Sequence, residues 1–434
     1  MDSVGSVVRC GTGAGVVDDS RERRDRFALA GGLIDFAQQR RDPPLPESAA
    51  TGRIGEMKHK KGDVFDESEL FDDPLTSKLT RRLTRTRDFN QTPTYHLNTA
   101  FSADNRFLVM AAWDVDGDSY LFKSELETGR TTVLAALDRE SGERFDGNNV
   151  SMIQANGWVA TNTGTKLHLC HLDTFEEKVL LDLGGTKQTF GHPVGSIDGK
   201  TVFIPRHSNA VVPNETVDVT TTHLEVDIDT GSMTELFEDV GRGCNHVVPN
   251  PVDPDLLLID RDMPPAFAHG GDKGRTTRVW VLNRKCGDIT EIRPQDQHRF
   301  QVHSNWNCRG DRVFYHGTSA EGGHYIGAAD VTGRTVFERR YGEYHYGHMC
   351  THPCEDVMIT DGLFTANQVI KIHYTDLDLH GAPRLEVLAR HDTDWTPRQQ
   401  QCHPHCHVSR DGRWLSYNRG IGGKRSDVYI VQIR

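Results

Sequence analysis

Histidines recur at one place in a repeated pattern of this 434-residue chain. Six histidines each lie nine to eleven residues before a short apolar run, and they are His96, His192, His246, His303, His348 and His405. Imidazole is both a ligand for transition metals and a base that takes a proton near pH 7. If the repeats surround an axis, these side chains converge. The pattern therefore predicts a metal or acid–base site.

One pair sharpens this prediction, because His403 and His405 are separated only by Pro404. Alternate residues of a strand point to the same face, so both imidazoles are expected to reach one ion. Gln400 could add an oxygen ligand, and His348 could supply a third nitrogen. Imidazole suits several transition metals, so these residues predict a divalent metal site without identifying the ion.

Thiols offer a rival set of ligands for zinc near the same histidines: Cys350, Cys354, Cys402 and Cys406. Cys402 and Cys406 directly flank the histidine pair. On a regular strand their side chains would point away from the histidine face. Packing is therefore the favoured role for these thiols.

The elements that position the histidines form a repeat. Seven turn signals each precede a short apolar run, and they are Asp104-Asn105, Asn156-Gly157, Asp198-Gly199, Asp253-Pro254-Asp255, Arg309-Gly310, Glu355-Asp356 and Asp411-Gly412. Their mean spacing is about 51 residues, which is typical of a four-stranded propeller blade. The pattern predicts an all-β fold, a seven-bladed β-propeller, over residues 57–434. Two β-sandwiches or a β-helix are the alternatives.

Two segments before the first repeat lead to different predictions. Residues 1–56 are rich in Gly, Ser, Arg and Asp without strand alternation, which predicts a disordered extension. Met57 could itself be a natural start. Residues 79–86 read as a strand that completes the last blade, because closing the ring removes exposed edges.

Composition excludes several classes of function. The formal net charge is −12 and the pI is about 6.0, which disfavours nucleic-acid binding. No apolar stretch is long enough to predict a membrane span. Nine cysteines without a small-scaffold pattern favour reduced thiols and a cytoplasmic protein. The oligomeric state is not predicted.

The C-terminal part of the chain resembles the oligogalacturonate lyases. The resemblance rests on Ala389-Arg390-His391-Asp392-Thr393-Asp394-Trp395 followed by Gln400-Gln401-Cys402-His403-Pro404-His405. It extends from about residue 80 to the end and is strongest in the last four repeats. Members of this family are seven-bladed propellers that cleave pectin fragments. The resemblance implies a lyase acting on 4-linked uronate oligosaccharides.

The resemblance also implies roles for individual residues. The manganese ligands would be His348, Gln400, His403 and His405. His303 would be the general base and Arg278 the catalytic arginine. Arg206 and His246 would contact substrate. The chain departs from the family at Cys406, where proline usually follows the second histidine, and in its second and third repeats.

This chemistry is coherent for β-elimination, which removes the C5 proton of a uronate and expels the oxygen at C4. A divalent cation on the carboxylate neutralises it and stabilises the developing charge. A neutral imidazole takes the proton, and an arginine binds the carboxylate. A lyase for another uronate oligosaccharide is one alternative, and a non-catalytic interaction scaffold is a second. A detached peptidase propeller is disfavoured, because no Gly-x-Ser-x-Gly elbow is present.

Overall fold

A computed structural model describes most of the chain after residue 58. The described residues are 59–93, 99–115, 117–210, 219–241, 243–261, 277–293, 300–318, 324–341, 347–362, 367–377, 381–394 and 400–434. All of them belong to the compact unit Glu56–Arg434. His96 and the predicted disordered extension, residues 1–56, lie outside the described residues.

The described residues confirm an all-β fold. The largest sheet has ten strands in two parts, joined where β31 runs parallel to β4 at the Ser426–Phe89 pair. The first part contains β1 (Val64–Asp66), β4 (Phe89–Gln91), β5 (Phe107–Trp113), β6 (Ser119–Glu125) and β7 (Arg130–Leu137). The second part contains β2 (Glu69–Asp72), β3 (Leu79–Arg82), β29 (His407–Val408), β30 (Trp414–Ile421) and β31 (Arg425–Gln432).

Five smaller antiparallel sheets follow one another between these two parts. The first two contain β8 (Val150–Ile153), β9 (Trp158–Asn162), β10 (Lys166–His171) and β11 (Glu177–Asp182), then β12 (Thr189–Phe190), β13 (Val194–Gly195), β14 (Thr201–His207), β15 (Thr221–Asp227) and β16 (Met233–Asp239). The third contains β17 (His246–Pro249), β18 (Leu256–Asp260), β19 (Val279–Asn283) and β20 (Ile289–Ile292). The last two contain β21 (Phe300–Trp306), β22 (Arg312–Thr318), β23 (His324–Asp330) and β24 (Thr335–Tyr341), then β25 (Met349–Thr351), β26 (Met358–Thr360), β27 (Gln368–Leu377) and β28 (Pro383–Arg390).

Helical structure in the described part is limited to three short 3-10 turns. These are η1 (Arg139–Ser141), η2 (Gly147–Asn149) and η3 (Gln400–Cys402). No helix among the described residues is long and apolar enough to cross a membrane.

The predicted turns owe their shape to glycine and to aspartate side chains. Gly199, Gly310 and Gly412 adopt φ values of 72°, 68° and 71°, a region that costs glycine little. At Asp198 the carboxylate accepts hydrogen bonds from the Ser196 hydroxyl and the Lys200 backbone N–H. Such a side-chain bond to the local backbone stabilises a tight turn between two strands.

Hydrophobic clusters lie between successive sheets and hold them face to face. One joins β5–β7 to β8–β10 through residues such as Leu134 and Val159. Another joins β5 and β6 to the last strands of the chain through Leu108, Trp414 and Ile430. Five further clusters of buried apolar side chains connect the remaining neighbours. Burial of these faces is the main stabilising contribution to the fold.

The first strands of several sheets face a common space. A cavity of about 830 Å³ is lined by residues of these strands, including Ile153, Val194, Val248, Trp306 and Cys350. The histidines of interest precede the strand residues that line it. These first strands therefore connect the segments that carry the histidines to the lining of the cavity.

A short N-terminal segment, Val64–Asp72, fastens the outer edges of the two parts of the large sheet. We call it the clasp. Its strand β1 pairs with β7, and its strand β2 pairs with β3, which in turn pairs with β31. Phe65 and Phe71 of the clasp pack on the two clusters that flank the last strands. The expected strand at residues 79–86 is confirmed as β3, at Leu79–Arg82.

The clasp gives a prediction for truncated chains. A chain that begins at Met57 keeps the clasp, and we expect it to keep its melting temperature and activity. A chain that begins at Asp73 loses the partial burial of Phe65 and Phe71, each contributing roughly 1 kcal/mol, together with the pairing of β1 and β2, and its melting temperature should fall by about 5 °C or more. Calorimetry on both chains makes the comparison. An equal fall in the chain that begins at Met57 would contradict the prediction that residues 1–56 are dispensable.

Candidate metal centre and its surroundings

Three histidine side chains converge where two neighbouring sheets begin. His348 lies directly before β25, whereas His403 and His405 lie between η3 and β29. One nitrogen from each lies within 4.8 Å of the other two, and all three residues are buried. The Nε2 atoms of His348 and His405 are 3.1 Å apart. Metal–nitrogen bonds are about 2.1 Å long, so one ion can contact all three with small side-chain rotations.

The local prediction for the pair His403 and His405 was wrong, although the two rings do converge. They do not lie on a strand, because β29 begins only at His407. His405 instead has a φ of 44°, in the left-handed region that non-glycine residues rarely adopt. Asn418 of β30 holds this segment by donating its side-chain N–H to the His403 carbonyl and its backbone N–H to the Pro404 carbonyl. The tight turn, and not strand alternation, brings the rings together.

The chemistry of the three histidines fits a divalent transition metal. Burial lowers the pKa of His403 to about 3, with a further lowering by His348. Its ring is therefore neutral at physiological pH, which is the form that binds metals. The His403 and His348 ring centroids are 5.2 Å apart.

Asp361 is a residue of the site that the sequence did not single out. It follows β26, its side chain is fully buried, and its carboxylate accepts a hydrogen bond from His348 Nδ1 at 2.9 Å. A histidine that binds metal through one nitrogen commonly donates its other N–H to a carboxylate. In the sequence an aspartate that follows a strand resembles an ordinary turn residue, so no signal distinguished it.

His303 lies beside the cluster, with its ring centroid 4.6 Å from that of His348. The register of β21 against β22 shifts between Val302 and Asn305, and His303 has a φ of 52° within this bulge. A bulge redirects a side chain relative to its strand. Backbone strain of this kind often accompanies functional positions.

The hydrogen bonds of His303 indicate which of its nitrogens carries the proton. Nδ1 lies 2.9 Å from the Gly347 carbonyl oxygen and 3.0 Å from His316 Nε2. A carbonyl only accepts, so Nδ1 donates and Nε2 holds the lone pair. Burial lowers the pKa of His303 well below its usual value, and the neighbouring charges of His348, His316 and Arg278 lower it further. His303 is thus a neutral imidazole with one basic nitrogen.

Arg278 directly precedes β19 and lies close enough to influence His303. Its Nε donates to the carboxylate of Asp260 at the end of β18, and both side chains are buried. A buried carboxylate fixes the orientation of a guanidinium group. Arg278 is therefore held in a fixed orientation at the start of β19.

For the other residues predicted to act in the site, the described contacts are with residues outside the cluster of three histidines. His246 begins β17 and stacks on His192 with ring centroids 4.9 Å apart. Arg206 of β14 forms an ion pair at 2.6 Å with Glu235 of β16, within its own sheet. Gln400 begins η3, but its side chain lies outside the described residues.

Three of the four thiols near the cluster pack in apolar surroundings, whereas Cys354 is exposed. Cys406 and Cys350 lie in one hydrophobic cluster with their sulfur atoms 3.4 Å apart, and Cys402 lies in another. Burial raises the pKa of Cys402 to about 11, and the neighbouring Cys350 thiol together with burial raises the pKa of Cys406. A protonated thiol is a poor zinc ligand, so this placement supports packing.

Comparisons with known proteins show similarity in fold. No family model and no curated protein sequence matches the chain. An oligogalacturonate lyase in complex with manganese is similar with a TM-score of 0.70 and 17% identity, covering 87% of this chain and 99% of that chain. An oligogalacturonate lyase from Vibrio parahaemolyticus gives a TM-score of 0.69 and 18% identity, covering 86% and 99%. At these identities the likeness shows the fold alone.

Proposed function

We propose that the sheets are the blades of a seven-bladed propeller. The ten-stranded sheet divides at the β31–β4 junction into two four-stranded parts, each with one clasp strand added. These parts and the five smaller sheets give seven blades. The cluster that joins Leu108 to Ile430 would then close the ring between the last blade and the first. The similarity in fold to two oligogalacturonate lyases supports this architecture.

We further propose that the protein is a metal-dependent carbon–oxygen lyase that cleaves 4-linked uronate oligosaccharides, such as the oligogalacturonides of pectin, by β-elimination. The observation that carries this proposal is the position of a neutral histidine, His303, directly beside a cluster of three histidines. The reaction needs a base and a cation at one carbon centre and its carboxylate. His303 would supply the base, and the three clustered histidines would supply the cation ligands.

The metal would be held by His348, His403 and His405, with Gln400 as a proposed oxygen ligand. A bound divalent cation would neutralise the substrate carboxylate and so make the C5 proton more acidic. The manganese present in one similar lyase structure favours Mn²⁺ as this ion.

The residues of the chain account for the proton and the substrate anion. His303 would take the C5 proton on Nε2, while its Nδ1–H remains bonded to the Gly347 carbonyl. The electrons of the C5–H bond would form the C4–C5 double bond, and the C4 oxygen would leave and take a proton from water. Arg278, held by Asp260, would bind the carboxylate and favour the neutral form of His303. His246 would contact the sugar from a neighbouring blade. Arg206 stays a proposed substrate contact only if its ion pair with Glu235 opens.

The test is a lyase assay with measured metal content. Purified protein should contain or take up Mn²⁺, and it should produce the ultraviolet absorbance of a new carbon–carbon double bond from digalacturonate. A panel of other uronides distinguishes the alternative of a lyase for a different uronate. A metal-free protein that is inactive on every uronide would favour the interaction scaffold and reject the proposal.

We also propose that the enzyme acts in the cytoplasm on a saccharide, without nucleic-acid or membrane partners.

A further inference from the structure

One carboxylate connects both sheets that supply the histidine cluster. Asp361 Oδ1 accepts a hydrogen bond from the His348 backbone N–H at 2.8 Å. Its Oδ2 accepts from His348 Nδ1 at 2.9 Å and from the His405 backbone N–H at 3.1 Å. The side chain is 0% exposed. Three N–H donors from two cluster residues therefore meet a single buried anion.

The contact with His348 indicates which tautomer the neutral ring adopts. A carboxylate only accepts hydrogen bonds, so the proton of neutral His348 must lie on Nδ1. Its Nε2, which lies 3.1 Å from His405 Nε2, then presents a lone pair to the cluster. A metal binds only the unprotonated nitrogen of imidazole. With its proton on Nε2, His348 could not serve as a ligand.

The space for this carboxylate depends on the absence of a side chain at Gly347. A Cβ atom at Gly347 would overlap Asp361 Oδ1 and would lie 3.0 Å from the Gly362 carbonyl oxygen. The same glycine accepts the hydrogen bond from His303 Nδ1. His391 holds the backbone of Asp361 from the other side, through a 2.8 Å hydrogen bond to its carbonyl oxygen.

We propose that Asp361 is the positioning residue of the metal centre. It fixes His348 as the Nδ1–H tautomer and holds the strained backbone of His405, while Gly347 leaves room for it. This inference rests on the proposed metal site, but its claim about the tautomer does not require a bound ion.

The test uses Asp361→Asn in the full-length protein. An amide offers one acceptor oxygen where the carboxylate offers two, so at least one of the three donors must face the amide NH₂. We expect His348 to change to the Nε2–H tautomer and the Kd for Mn²⁺ to rise about 10–100-fold. Nitrogen-15 NMR of metal-free protein with labelled histidine reports the tautomer, and titration calorimetry with Mn²⁺ reports the affinity.

A matched control separates positioning from a general effect of changing a buried carboxylate. Asp427 is also 0% exposed, and it forms an ion pair with Arg82 between β31 and β3. Asp427→Asn should lower the melting temperature yet leave the Mn²⁺ affinity within about 2-fold of wild type. Gly347→Ala, which displaces the carboxylate without removing its charge, should weaken Mn²⁺ binding in the same direction as Asp361→Asn.

The outcomes distinguish this inference from the proposed function. A wild-type protein in which His348 is the Nε2–H tautomer overturns the inference without any variant. Wild-type Mn²⁺ affinity in Asp361→Asn also overturns it. If wild-type protein takes up no Mn²⁺ at all, the metal proposal fails, and the tautomer comparison still decides the role of Asp361.

Discussion

Replacing His303 with alanine should lower turnover on a cleavable uronide by about 10²-fold or more, the usual range for loss of a general base. The metal content should remain that of the wild-type protein, because the cluster nitrogens belong to other residues. Steady-state kinetics and metal analysis on the same preparation make the measurement. His373→Ala, which removes a histidine paired with Glu386 on β27 and β28, is the matched control and should keep full turnover.

The pH dependence gives a second readout for His303. Burial and the neighbouring charges lower its pKa, so the ring stays neutral and basic at a lower pH than a free histidine. The acid limb of kcat/KM should therefore lie below about pH 6.5. Near-normal turnover in His303→Ala would reject this mechanism. Loss of metal in that variant would instead make His303 a ligand.

Replacing both His403 and His405 with alanine should remove bound Mn²⁺ and lower turnover by about 10³-fold or more. The reason is that stabilising the developing negative charge contributes several kcal/mol to such reactions. Metal analysis after dialysis and the lyase assay measure the two effects. The fold should survive, since each side chain lies at the end of a sheet and outside the hydrophobic clusters.

His407→Ala provides the comparison for that double variant. His407 is also buried and lies two residues beyond His405, but its Nε2 donates to the Pro93 carbonyl and it does not belong to the cluster. We expect this variant to keep its metal. Full metal occupancy in the double variant, or equal loss in His407→Ala, would mean that the ligands were assigned wrongly.

The sequence predicts most of the strand framework because turns and apolar alternation are local signals. The Asp-Gly turns at Gly199 and Gly412 and the closing strand β3 all lie where the residues indicate. The convergence of His348 with His405 was also foreseeable, because both precede first strands of the repeat. The periodicity of the sequence thus predicts where a residue lies within a repeat, but it does not predict the local backbone conformation.

Features that depend on contacts between sheets were not predictable in the same way. The role of Asp361 arises only when β26 brings it beside His405, which lies 44 residues further along the chain. The positive φ of His405 overrides the strand expected from the spacing of the pair. Arg206 was assigned from resemblance alone, and its partner Glu235 lies on another strand.

The clasp and β3 also affect the order in which the protein can be made. Arg82 on β3 binds Asp427 on β31 across 345 residues of sequence, so during translation β3 emerges from the ribosome long before its partner. Pairings between such distant segments form slowly and leave strand edges exposed in the meantime. The strands β2 and β3, whose edges are unpaired until then, carry charged residues at Glu69, Asp72, Arg81 and Arg82. Charged edges disfavour pairing with other chains, so we expect these residues to reduce aggregation of the nascent protein until the last strand is made.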